Sequence, residues 1–127
     1  MPLIWLTTNV KLESDDAFRT FVCEFRRFAA QTIGKDENAF IIDCQYNPFL
    51  TCRGGFEPSV LVQVMSLFNT NAENSIIWSK AFSDFFEEKL GVPPDRAVMA
   101  FLDAGPDFIG MKGTTASVIR ANAAKQT

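Results

Sequence analysis

The stretch Ser59-Val60-Leu61-Val62-Gln63-Val64-Met65-Ser66-Leu67-Phe68 is the strongest strand signal in the chain, and its reading decides the fold. Val60, Leu61, Val62, Val64, Met65, Leu67 and Phe68 make it a nearly continuous apolar run rather than an alternating one. A strand with one face in water alternates apolar and polar side chains, so a run of this kind reads as buried on both faces. Ala97–Leu102 has the same character and is the last full strand. Between the two, a helix from about Ala72 to Leu90 is carried by Ile77, Ala81, Phe85 and their neighbours. Gly91 stops it, and Pro93-Pro94 blocks any continuation.

Working toward the N-terminus, the same order recurs. Leu3–Thr7 is a short apolar strand candidate that begins almost at residue 1. Ser14 opens a helix with Asp15 and Asp16 in its first turn, where acids complement the helix dipole. Phe18, Phe21, Val22, Phe25, Phe28 and Ala29 recur at helical spacing, Arg19, Glu24, Arg26 and Arg27 take the other side, and Gly34 ends the helix. Phe40–Cys44 is the next strand, broken by Asn47-Pro48. The chain is therefore α/β: two βαβ units of similar length forming a four-stranded sheet with two helices on one face. No residue-level repeat links the halves. Phe108-Ile109 offers a short additional strand, and beyond Ile119 the polar, small residues 120–127 read as a flexible tail after a single domain of residues 1–119.

Two helices cover only one face of such a sheet, and no segment remains to cover the other. Either a second copy of the chain packs there or the sheet curls closed on itself. Large exposed apolar patches are rare on monomers, which favours the second copy.

Composition narrows the chemistry. At 127 residues with 47% hydrophobic content and 13 Phe, the chain can build a core without staples. The net charge of −3 argues against a phosphate-binding surface, so no nucleic-acid partner is expected. Cys23, Cys44 and Cys52 are odd in number and form no Cys-x-x-Cys, which suits reduced thiols in the cytosol. The absence of His removes Ser–His and Cys–His catalysis and the commonest metal ligand, and no metal or other cofactor is expected. No apolar run approaches the roughly 20 residues of a membrane span. The start Met1–Trp5 lacks the form of a signal peptide.

With these elements in order, the residues resemble the macrophage migration inhibitory factor and D-dopachrome tautomerase family. The resemblance is carried by Met1-Pro2-Leu3-Ile4, Thr8-Asn9-Val10, Gly34-Lys35, Gly54-Gly55-x-Glu57-Pro58, Ser66, Trp78-Ser79-Lys80 and Pro94-Asp95-Arg96. Ile109-Gly110-x-x-Gly113-Thr114 is closer to the D-dopachrome tautomerase branch. The match runs over about residues 2–119. It implies two pseudo-symmetric βαβ units and a homotrimer whose sheets face a central channel, with active sites between subunits. It also implies a cofactor-independent keto–enol tautomerase acting on a small keto or enol acid. The alternative implied by the same family is a cytokine-like ligand exported without a signal peptide, whose partner would be a receptor and whose tautomerase activity is vestigial.

The site residues follow from that resemblance. Removal of Met1 would expose Pro2 as a secondary amine. An ordinary α-amino group titrates near about 7.7–8.0, and burial or a nearby cation lowers that value toward what a general base needs. Lys35 stands where the family grips a substrate carboxylate. Ser66 and Leu67 match the strand end whose backbone lines the pocket, and Ile109 matches an apolar wall. Val98 and Ala100 occupy positions that carry a tyrosine and an asparagine in the best-known branch, reached from the neighbouring subunit. Met111 replaces an aromatic, and Ala39 replaces a tyrosine. The pocket is therefore expected to be less polar than the family's usual one and weak on phenolic substrates. Ser59 and Val62 fill the places of one branch's Cys-x-x-Cys, which excludes dithiol chemistry there. Asp103 and Asp107 receive no role.

Overall fold

A computed structural model of the chain describes residues 1–125. Two βαβ units are present: β1 (Leu3–Thr8), α1 (Asp15–Ile33) and β2 (Ile41–Tyr46), then β3 (Val60–Met65), α2 (Ala72–Leu90) and β4 (Ala97–Leu102). The sheet order is β2-β1-β3-β4. Strands pair in parallel within each unit, and β1 joins β3 antiparallel between the units.

Both helices end as their sequences dictate. Ser14 and Asn71 accept, through their side chains, a backbone N–H from the first turn of α1 and α2 respectively. Gly34 and Gly91 stand in the left-handed region with φ of 80° and 68°, where a Cβ is disfavoured, and their N–H groups return to carbonyls of the last turn. The helices meet the sheet and each other through an aromatic cluster. Phe25 stacks with or abuts Phe21, Phe82, Phe85 and Phe86, and Phe28 stacks on Phe85 with centroids 4.5 Å apart. Beneath them lie Ile4 and Leu6 of β1 and Val60, Val62 and Val64 of β3.

Several details depart from the sequence reading. In α2 the buried face is Trp78, Phe82, Phe85, Phe86 and Leu90, whereas Ile77 points to solvent. Trp78 and Phe82 pack on Phe101 of β4 and set the rotation of the helix, which leaves Ile77 on the outer side. β3 ends at Met65, because Ser66–Thr70 turn out of the sheet through hydrogen bonds of their own. In place of a strand at Phe108-Ile109 there is a 3₁₀ turn, Pro106–Phe108, followed by a hairpin of β5 (Gly110–Met111) and β6 (Thr114–Thr115). Residues 120–125 continue a third helix, α3 (Ala116–Lys125), rather than a flexible tail, and residues 126–127 lie outside the described residues. α3 packs on the 3₁₀ turn and the hairpin, a tertiary support that local composition does not advertise.

The sheet face opposite the helices is bare in the single chain. It presents Leu3, Trp5 and Thr7 from β1 and Ile41 from β2, with Leu61, Gln63 and Met65 from β3 and Val98, Ala100 and Leu102 from β4. Leu61 and Val98 are each about half exposed, at 52% and 53%. The nearly continuous apolar runs of β3 and β4 thus put one set of side chains into the core and the other on this open face. The sheet does not curl to close over it: β2 and β4 remain its two edges.

Candidate active site

Pro2 is fully buried immediately before β1. Its carbonyl accepts the Ile41 N–H at 3.1 Å, which docks the chain start against β2. On the other side, β1 pairs antiparallel with β3, and the register ends with Leu3 opposite Met65, one residue from Pro2 and from Ser66 respectively. The segment after β3 is tightly held. Ser66 N–H donates to the Leu102 carbonyl, and the Ser66 hydroxyl donates to Asn69 at 2.6 Å. Asn69 in turn donates to the Ile33 carbonyl at the end of α1, and Thr70 donates to the Ser66 carbonyl.

Lys35 follows the left-handed Gly34 and reaches this segment directly. Its Nζ donates to the Leu67 carbonyl at 2.5 Å. An ammonium has three protons, so this bond leaves donors for a ligand. Burial pulls the Lys35 pKa below its ordinary value, with Asp103 opposing the shift. The terminal amine, carried by Met1, is also held below its ordinary value, first by burial and second by the Lys35 charge. The chain start is therefore a desolvated, electropositive corner, which favours a neutral amine.

Of the residues expected from the sequence, Lys35 is bonded to the Leu67 carbonyl beside Ser66, and Pro2 adjoins the end of the β1–β3 pairing that precedes Ser66. Ser66 contributes backbone and turn architecture, since its hydroxyl is committed to Asn69. Val98 and Ala100 are not brought to Pro2 of their own chain. They lie on the open face, in register with Leu61 and Gln63 of β3. Those residues face Thr7 and Trp5 of β1, five and three positions beyond Pro2. At about 3.3 Å per strand residue and about 4.8 Å between strands, the separation is well beyond contact. Ile109 is buried at the root of the β5–β6 hairpin, where its carbonyl accepts the Ala116 N–H of α3.

Sequence reasoning missed the groups that brace this corner. Asp103 accepts the Phe68 N–H at 2.9 Å and the Gly105 N–H at 2.8 Å, and these two bonds hold its carboxyl below the ordinary range. Asp two residues before Gly is a turn signature that could have indicated the second bond. Phe68 has φ of 75°, a left-handed conformation that nothing about a phenylalanine announces. The guanidinium of Arg120 in α3 lies 4.0 Å from the Phe68 ring centroid.

Other chemistry is not assembled. Cys44 is pushed up to about 12, mainly by burial and then by Asp43, so its thiol stays protonated. The groove of about 450 Å³ between α1 and β2 is lined by Phe18, Val22, Ile42 and Cys44, and neither Pro2 nor Lys35 is among its lining residues. Among the described residues, no group of three or more His, Cys, Asp or Glu is placed to hold a metal ion. Likewise, no helix among them is long and apolar enough to cross a membrane.

Two βαβ units joined through one four-stranded mixed sheet in the order β2-β1-β3-β4 give the architecture of the tautomerase superfamily. Residues 1–117 match the family model described as macrophage migration inhibitory factor, and the chain belongs to that family. It is similar to the MIF-like protein mif-2 of Caenorhabditis elegans, 25% identical over 91% of this chain and 94% of the relative. Among solved structures it is similar to a macrophage migration inhibitory factor homologue from Prochlorococcus marinus. That match has 27% identity and a TM-score of 0.78, covering 89% of this chain and 97% of that one. The macrophage migration inhibitory factor of Trichinella spiralis shares the fold, with 22% identity, a TM-score of 0.80 and coverage of 89% and 98%.

Proposed function

We propose that the protein is a cofactor-independent keto–enol tautomerase that uses Pro2, freed by removal of Met1, as its general base. The observation that carries this reading is the desolvated chain start beside Lys35, where a terminal amine is biased toward its neutral form. While Met1 is attached, the Pro2 nitrogen is an amide without a basic lone pair. Once freed, it is a secondary amine.

In the proposed reaction a substrate carboxylate is held by the remaining Lys35 donors. The neutral amine takes the proton from the enol oxygen. The electron pair left on oxygen forms the carbonyl, and the enol double bond shifts its electrons to the neighbouring carbon. That carbon then recovers a proton from the protonated amine. The base returns to its starting state with no net oxidation, and the sequence run backwards enolises the keto acid.

The substrate class is a small α-keto or enol acid. Val98 and Ala100 lack hydrogen-bonding side chains, which supports weak turnover of phenolic substrates: a buried phenol without a partner costs about 1–3 kcal/mol. Their distance from Pro2 within one chain, together with the open apolar face, supports a homotrimer in which a neighbouring copy completes each pocket. Intact mass together with phenylpyruvate tautomerisation by the wild type and Pro2→Gly tests the reading. A processed N-terminus and a large loss in the variant are expected. Retained Met1 or unchanged turnover in Pro2→Gly overturns it.

A further inference from the structure

We propose that Arg120 of α3 is a positioning residue that sets the Lys35 ammonium by clamping the Phe68 turn. The inference rests on the proposed tautomerase reading for its kinetic consequence only.

The chain of contacts is continuous. Phe68 is more than half exposed, yet its ring is covered by the Arg120 guanidinium at 4.0 Å. Its backbone is held left-handed, a conformation a non-glycine residue keeps only when its surroundings impose it. Asp103 fixes the Phe68 N–H, and Arg120 fixes the ring. The preceding residue, Leu67, is buried and offers its carbonyl to Lys35 Nζ. Arg120 makes no ion pair among the described residues, so the ring is its principal engagement. α3 extends from Ala116 to Lys125, whereas the family match ends at residue 117. The clamp is therefore supplied by a segment that the family model does not describe.

If the clamp is released, the Leu67–Phe68 peptide is held by the Asp103 bond alone, and the carbonyl that anchors Lys35 is held less firmly. Lys35, with Asp103 behind it, is the charged group that acts on the chain start. A wandering Lys35 binds a carboxylate less well and depresses the amine less.

The test uses the full-length, Met1-processed protein as wild type, Arg120→Ala, Arg120→Lys, Phe68→Gly and the Phe68→Gly/Arg120→Ala double variant. Phenylpyruvate kinetics and the pH titration of the ¹⁵N-labelled Pro2 amine are measured for each. Arg120→Ala is expected to raise KM by about two- to fivefold, the scale of one exposed cation–π contact, with kcat less affected. The Pro2 titration should move to higher pH, and Arg120→Lys should restore most of both effects. In the Phe68→Gly background, removing Arg120 should add nothing, because the ring it acts through is gone. An equal loss in that background would assign Arg120 to direct substrate contact and overturn the positioning role. A folded Arg120→Ala with wild-type KM and titration also overturns it. If Phe68→Gly fails to fold, Phe68→Asn, which tolerates the left-handed backbone, replaces it in the cycle. If wild type shows no turnover but Arg120→Ala still shifts the Pro2 titration, the tautomerase reading fails while the positioning role stands.

Discussion

At the scale of single residues, the chain start and Lys35 form one electrostatic unit. Burial is the larger cause of the lowered terminal amine pKa, and Lys35 is the second. A base works in its neutral form, so kcat/KM should rise with pH and level off above the amine pKa. Replacing Lys35 with Met removes a positive charge that disfavours the protonated amine. The pKa rises part of the way back, since burial persists, and the plateau should begin at higher pH. Loss of a charge-assisted bond to a carboxylate, worth about 1.5–3 kcal/mol, should raise KM for an α-keto acid by an order of magnitude or more. A pH profile of each protein checks both signs, and an unmoved acid limb would uncouple Lys35 from the base. Asp103 runs the other way. Its folded pKa is depressed by the Phe68 and Gly105 N–H groups, so its stabilising effect is complete above the ordinary carboxylate pKa. That effect is lost as pH falls through the depressed value. Asp103→Ala should therefore lower stability at neutral pH by about 1 kcal/mol and lose less than wild type on acidification. Urea titrations at neutral and acidic pH measure the difference.

At the scale of elements, what was legible depended on whether the deciding interactions are local. α1 has a Ser cap, acids in its first turn, apolar residues at helical spacing and a glycine stop, and its bounds follow from these. Ser14→Ala should accordingly cost about 1 kcal/mol in equilibrium unfolding, because the Ala17 N–H loses its acceptor. The four strands were legible as apolar runs. The corner at Pro2, Lys35, Ser66 and Leu67 was legible through family resemblance, since no local pattern links positions so far apart in the chain. The remainder was hidden for physical reasons. α3 buries no residue fully and carries polar and small side chains, so its helicity depends on packing against the hairpin and the 3₁₀ turn. Phe68 is left-handed because Asp103, 35 residues away, takes its N–H. Ile77 looks like a core residue by type and is turned outward by Trp78 and Phe82, which claim the space against β4.

For the whole molecule, the bare sheet face decides how the fold becomes a functional unit. Its apolar side chains, Trp5, Ile41, Leu61, Val98 and Leu102, come from all four strands and form one surface. An exposed apolar face of this kind signals a partner, and the proposed partner is two further copies of this chain. Leu61→Asp separates the alternatives, because Leu61 is half exposed in the single chain. If the face meets only solvent, a charge there should change stability by no more than about 0.5 kcal/mol. If it meets other copies, an unpaired buried carboxylate is strongly unfavourable and the assembly should fall apart. Ile76→Asp is the matched control: Ile76 is even more exposed, but it lies on α2, on the far side of the sheet. Analytical ultracentrifugation should show a trimer for wild type and Ile76→Asp and a monomer for Leu61→Asp. The monomer should retain its far-UV helix signal yet lose turnover, since Val98 and Ala100 would no longer be presented to a neighbour's Pro2. A monomeric wild type would overturn the trimer, and a monomeric Leu61→Asp with full activity would show that one chain closes the pocket by itself.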